Sequence, residues 1–130
     1  MTITLPRITR FARTTSTKPR PTIAMAITNT GAAPIHLVDH SPGFGWWRAA
    51  PPATIAPHTT AIVTATTQDP GGTVSATYQL PDGARARFAA NNFGSGVDLD
   101  DTDVDGPWRI TRALHAGFPD LSATYALGTP

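Results

Sequence analysis

The sequence predicts an all-β fold: a single antiparallel β-sandwich of about seven to eight short strands, preceded by a flexible basic N-terminal tail. Three observations point there. Apolar and polar residues alternate with period two, which places successive side chains on opposite faces of a strand. Turn signals return about every 8–12 residues, the spacing of small sandwiches and barrels. Thirteen Pro and 11 Gly in 130 residues punctuate the chain and disfavour long helices.

The elements follow in order. Residues 1–20 open with a short run, Thr2 to Leu5, that Pro6 interrupts, and then read as a linker. The domain is expected over residues 21–130. Ile23, Met25 and Ile27 alternate with small residues, and Asn29-Thr30-Gly31 signals a turn. Ile35 and Leu37 alternate with His36 and Val38, so a second strand and a hairpin with the first are expected. Ser41 to Arg48 is a glycine-spaced aromatic cluster. Thr60 to Thr67 alternates again, and Asp69-Pro70-Gly71-Gly72 turns the chain.

The firmest element is the stretch from Thr73 to Ala90. Val74, Ala76, Tyr78 and Leu80 define one face before Pro81-Asp82-Gly83, and Ala84, Ala86, Phe88 and Ala90 define one after it. Proline presets the turn dihedrals and glycine supplies a positive φ, so this reads as a tight hairpin. Asn91 to Gly96 is a loop and Val97 to Gly106 is acidic. Trp108, Ile110, Arg112 and Leu114 alternate with Arg109, Thr111 and Ala113. After a turn at Gly117 to Asp120, Leu121, Ala123, Tyr125 and Leu127 form the last strand.

Length and 40% hydrophobic content suit one core. Cysteine is absent, which removes disulfides, thiolate nucleophiles and cysteine zinc sites. The net charge of +1 hides an asymmetry. Residues 1–20 carry four Arg, one Lys and no acid, whereas residues 21–130 carry five Arg against nine Asp. The folded part is therefore acidic and a poor match for nucleic acid. The basic start lacks a continuous apolar h-region, so a standard secretory signal is not predicted, and a transit peptide is the alternative to a tail. Secretion without a standard signal and a cytoplasmic location both stay open.

Among the candidates for chemistry, Phe44, Trp46, Trp47 and Arg48 stand first. Adjacent tryptophans on an extended chain face opposite sides. One can enter the core while the other is presented to a membrane interface or a binding partner. Both rings plugging the end of the sandwich is the alternative. Asp101, Asp103 and Asp105-Gly106 have the spacing that opens a calcium loop, but position twelve is Arg112 and no helices flank it, so an EF-hand is rejected; a solvated acidic loop is expected, with a looser calcium site as the alternative, and no metal is assigned. His36 and His40 are too few for zinc. Asp39, His40 and Ser41 are neighbours that cannot converge as a triad. No phosphate-binding or dinucleotide motif occurs. Neither a cofactor nor a small-molecule substrate is expected, and an enzyme using His36 or His115 ranks last.

The order of these features resembles a known group. Ile23-x-Met25-x-Ile27-Thr28-Asn29-Thr30-Gly31 is followed by the tryptophan loop and Pro51-Pro52-x-x-Ile55-x-Pro57. Then come Gly72 to Tyr78, Leu80, Asp82-Gly83, and Asn91-Asn92-Phe93-Gly94. Over about residues 22–130 this resembles the aegerolysin-like and actinoporin-like small β-sandwich cytolysins, including their bacterial crystal-protein relatives. The resemblance implies a sandwich that binds membrane lipid through tryptophans, sometimes with a larger pore-forming protein partner. Trp46 and Trp47 fall in the loop where such aromatics occur, and Trp108 joins them as a candidate. Pro6, Pro19 and Pro21 disfavour the amphipathic N-terminal helix of actinoporins, so lipid binding is expected rather than autonomous pore formation. The rival expectation is a protein- or carbohydrate-binding module.

Overall fold

A computed structural model describes residues 21–67, 72–93, 96–117 and 120–129. The expected tail over residues 1–20, with its Thr2–Leu5 run, lies outside them. The described residues form eleven strands: β1 (Thr22–Asn29), β2 (Ile35–Ser41), β3 (Trp46–Ala49), β4 (Thr54–Ile55), β5 (Thr59–Thr66), β6 (Thr73–Gln79), β7 (Arg85–Phe93), β8 (Gly96–Asp98), β9 (Asp103–Val104), β10 (Arg109–Ala116) and β11 (Leu121–Gly128). They make two sheets. One has five strands in the order β10-β11-β1-β5-β3; the other has six, ordered β4-β2-β6-β7-β8 with β9 also pairing β7. This is the expected all-β sandwich. The strands beyond the seven long ones are β3, β4, β8 and β9, two to four residues each, too short to show a period.

The period-two pattern sets the core. Ile23, Met25 and Ile27 of β1, Val63 and Ala65 of β5 and Leu121, Ala123, Tyr125 and Leu127 of β11 face inward from the five-stranded sheet. Val74, Ala76 and Tyr78 of β6 and Ala86, Phe88 and Ala90 of β7 meet them from the other sheet. Tyr78, Phe88 and Tyr125 stack edge to face, with ring centroids 6.3 and 5.6 Å apart. Each phenol finds an acceptor. Tyr78 donates to the Pro52 carbonyl at 2.7 Å, and Tyr125 crosses the layers to the Ala89 carbonyl at 3.0 Å. Burial pushes both phenols up to about 12.

The Thr73–Ala90 hairpin forms as expected, in the register Thr73↔Asn91 to Gln79↔Arg85. Its turn is closed by Gly83 N–H donating to Leu80 O at 2.9 Å, with Gly83 at φ 89°. The other expected hairpin is corrected. β1 pairs with β5 and β11, while β2 pairs with β4 and β6, so the chain crosses between layers after Asn29. Buried Asn29 organises that crossing. Its amide donates to the Ala33 and Ile55 carbonyls at 2.9 and 3.1 Å, and its Oδ1 accepts from Gly31 N–H at 3.0 Å. Ile35 is thereby delivered to the opposite layer. The β1–β11 pair is parallel, an exception in an otherwise antiparallel sandwich.

These pairings give the sandwich two distinct ends. One gathers the start of β1, the end of β5, the start of β3, the end of β2 and the start of β6. The other gathers Asn29, the Leu80–Ala84 turn and the start of β10.

Candidate functional site

At the first end, Ser41 to Gly45 carries the chain from β2 to β3 and so from one sheet to the other. The loop is drawn tight. Ser41 Oγ accepts from Gly43 N–H at 3.1 Å, and Gly45 N–H donates to Pro42 O at 3.3 Å. Gly43 has φ 70°, and a Cβ there would lie 3.0 Å from the Thr73 carbonyl oxygen. A Cβ on Gly45 would overlap the Thr66 carbonyl outright, and one on Gly72 would meet the Phe44 amide nitrogen at 3.1 Å. Three glycines thus let the loop backbone lie against the ends of β5 and β6. The residue between two of them, Phe44, is pushed outward and is 71% exposed.

β3 then pairs along the edge of the five-stranded sheet, Trp46 opposite Thr66 and Trp47 opposite Ala65. Ala65 belongs to the core, so Trp47 faces inward and packs on it. Trp46 faces outward, 43% exposed. A bulge between Trp47 and Ala49 takes up Arg48, which is exposed. Ile62, on the outward face of neighbouring β5, is 58% exposed. Phe44, Trp46 and Ile62 are thus large apolar side chains with exposed surface, the first two only two residues apart.

Trp47 is anchored across the layers. Its indole Nε1–H donates to His40 Nδ1 at 3.0 Å, with ring centroids 5.7 Å apart and planes tilted by 60°. His40 lies on β2, so this contact joins β3, the edge of the five-stranded sheet, to β2 of the other sheet. The structure brings together Phe44, Trp46, Trp47 and Arg48 in one segment, and Trp108 is not with them. Trp108 stands at the opposite end, half-buried before β10, and its Nε1–H donates to Asp82 Oδ2 at 2.8 Å in the β6–β7 turn. That bond, seconded by the Ala84 N–H, holds the Asp82 carboxyl below its usual range.

The other candidates do not converge. His36 Nδ1 contacts Thr54 Oγ1 at 3.2 Å, away from His40, and Ser41 Oγ is taken by the loop backbone. Asp101, Asp103 and Asp105 are exposed, and Asp105 accepts from Arg85 N–H. Among the described residues no group of three or more His, Asp or Glu could hold a metal ion. A shallow recess of about 320 Å³ on the five-stranded sheet is lined by Thr28 of β1, Thr111, Arg112 and Ala113 of β10 and Thr124, Tyr125 and Ala126 of β11, with no acid among them. Sequence reasoning missed His40 and Asp82 as indole acceptors. They lie seven and 26 residues from their tryptophans, and no local pattern links them.

No protein-family model matches the chain, and a search of curated proteins finds no match. Solved structures do match in fold. The lipid-binding protein Nakanori superposes with a TM-score of 0.68 at 9% identity, over 85% of this chain and 72% of that one. The Xerocomus chrysenteron lectin XCL superposes with a TM-score of 0.58 at 11% identity, over 85% of this chain and 99% of that one. The chain is a small all-β sandwich that resembles the folds of a lipid-binding protein and a lectin.

Proposed function

We propose that this chain is a non-enzymatic sandwich that binds membrane lipid through Phe44 and Trp46, with Trp47 setting their position and Arg48 beside them. The observation that carries the reading is the exposure of Phe44 and Trp46 on a segment whose glycines hold its backbone against the ends of β5 and β6. Large apolar side chains exposed close together in the chain suit an interaction site. An indole at a lipid interface keeps its apolar body in hydrocarbon and its N–H near headgroups. The likeness in fold to a protein described as lipid-binding supports the same reading. The basic segment over residues 1–20 adds attraction to anionic leaflets, about 1 kcal/mol per basic residue near the surface. The resemblance to aegerolysins and actinoporins extends the proposal to a component of a pore-forming toxin that acts with a larger partner protein.

Cosedimentation with liposomes of varied composition tests it. The double variant Phe44→Ala, Trp46→Ala is expected to bind about tenfold or more weakly while its thermal midpoint stays within a few degrees of wild type. Undiminished binding would remove the aromatic segment from the mechanism. The second reading, carbohydrate binding, is favoured by the likeness to a lectin and by an outward Trp46 ring suited to sugar stacking. A glycan-array signal without liposome binding would select it.

A further inference from the structure

The Trp47 indole N–H can donate to His40 Nδ1 only while that nitrogen holds a lone pair. The imidazole in this contact is therefore neutral, with its proton on Nε2. Protonation turns Nδ1 into a second donor and sets two N–H groups against each other across 3.0 Å. The bond is then lost, and both donors seek a shared acceptor. An anionic oxygen is the acceptor that best suits an imidazolium and an indole together, because hydrogen bonds to charged groups are the strong ones.

We propose that His40 and Trp47 form an acid-operated latch at the aromatic segment, closed on itself at neutral pH and opened by protonation to take a phosphate oxygen. The proposal rests on the membrane reading above and adds its control: binding to anionic vesicles tightens as the latch opens. The position fits, since Trp47 is bonded between the layers directly beside outward Trp46. The neighbours leave the switch to His40. Among the described residues, β2 also carries His36, engaged with Thr54, and Asp39; β3 carries Arg48. β4 and β5 carry no titratable group, and β6 carries Tyr78 alone, which is buried in the core.

The test uses the full chain with two substitutions that bracket the switch. His40→Gln retains an acceptor that does not titrate, and His40→Lys places a permanent cation there. Indole N–H resonances, assigned through single Trp→Phe variants, are followed from pH 7.5 to 5.5, the interval in which histidine changes charge. Binding to phosphatidylserine-containing and to pure phosphatidylcholine vesicles is measured at both limits, and inorganic phosphate is titrated separately. The Trp47 resonance is expected to move in wild type and stay fixed in His40→Gln. Binding to anionic vesicles is expected to rise about tenfold on acidification in wild type, less than about twofold in His40→Gln, and to be high at both pH values in His40→Lys. His36→Gln and His115→Gln should behave as wild type. A Trp47 resonance that does not move, or an equal rise in His40→Gln, overturns the latch. If inorganic phosphate at pH 5.5 perturbs Trp47 while no vesicle binds, the latch holds for free phosphate and the membrane reading fails. If neither phosphate nor vesicles respond, the latch is overturned as an anion site.

Discussion

The two ends of the sandwich use tryptophan differently. At the turn end, Trp108 spends its indole N–H on the Asp82 carboxylate and rests its ring on the core. The turn it clamps has open space around Gly83. At the loop end, Trp47 makes a similar bridge to His40, but the chain before it lies so close to β5 and β6 that no side chain fits at Gly45. Phe44 and Trp46 are left outside as a consequence. One end is closed with its aromatic. The other is built with no slack and leaves two aromatics partly exposed, a tension that stability alone does not require.

Substitutions sharpen that contrast. Gly45→Ala should be the most damaging, at about 3 kcal/mol, because the new methyl meets backbone that cannot move aside. Thermal or denaturant unfolding reads it, and a cost below about 1 kcal/mol would mean the loop has room to give. Trp108→Phe at the other end should cost about 1 kcal/mol in lost ring packing and leave vesicle binding unchanged. Gly83→Ala should cost about 1 kcal/mol or slightly less, from its positive φ alone, since nothing crowds the site.

The remaining effects are in pH dependence. The lowered Asp82 carboxyl contributes stability that is present above the ordinary carboxylate range and lost as pH falls through its depressed value. Acid titration of the Trp108 indole resonance should follow that group, and Trp108→Phe should weaken this limb while the Ala84 N–H bond remains. The raised phenols work at the other extreme. Tyr78 and Tyr125 stay protonated in the fold up to about 12, whereas an unfolded tyrosine ionises near 10. Stability should therefore decline as pH rises between those limits, and phenolate absorbance should appear together with unfolding.

The same contrast separates what the sequence reveals from what it conceals. The Thr73–Ala90 hairpin is legible because its alternation is uninterrupted and Pro81-Asp82-Gly83 supplies the turn chemistry. β3, β4, β8 and β9 are not, since two to four residues establish no period. The crossing after Asn29 has the same turn signal as a hairpin. What decides it is the burial of Asn29 with its three hydrogen bonds and the placing of Ile35 in the other layer. The parallel pairing of Ile23 with Leu121 depends on the assembled sheet, and local pattern is silent about it. At the site, adjacency predicts that Trp46 and Trp47 face opposite ways, and they do. Which of them faces inward depends on register with Ala65. Trp108 belongs to the other end because β10 begins beside Asn29's end of the sheet, a fact of topology rather than composition.

The most direct measurement uses two single-tryptophan chains, one retaining Trp46 and the other Trp108, with the remaining tryptophans changed to Phe. Each is titrated with vesicles containing brominated lipid while its fluorescence is recorded. Quenching and a blue shift of Trp46, with Trp108 unaffected, is the expected result. Quenching of Trp108 alone, or of neither ring on vesicles that cosediment the protein, would contradict the assignment of the aromatic loop as the lipid-facing end.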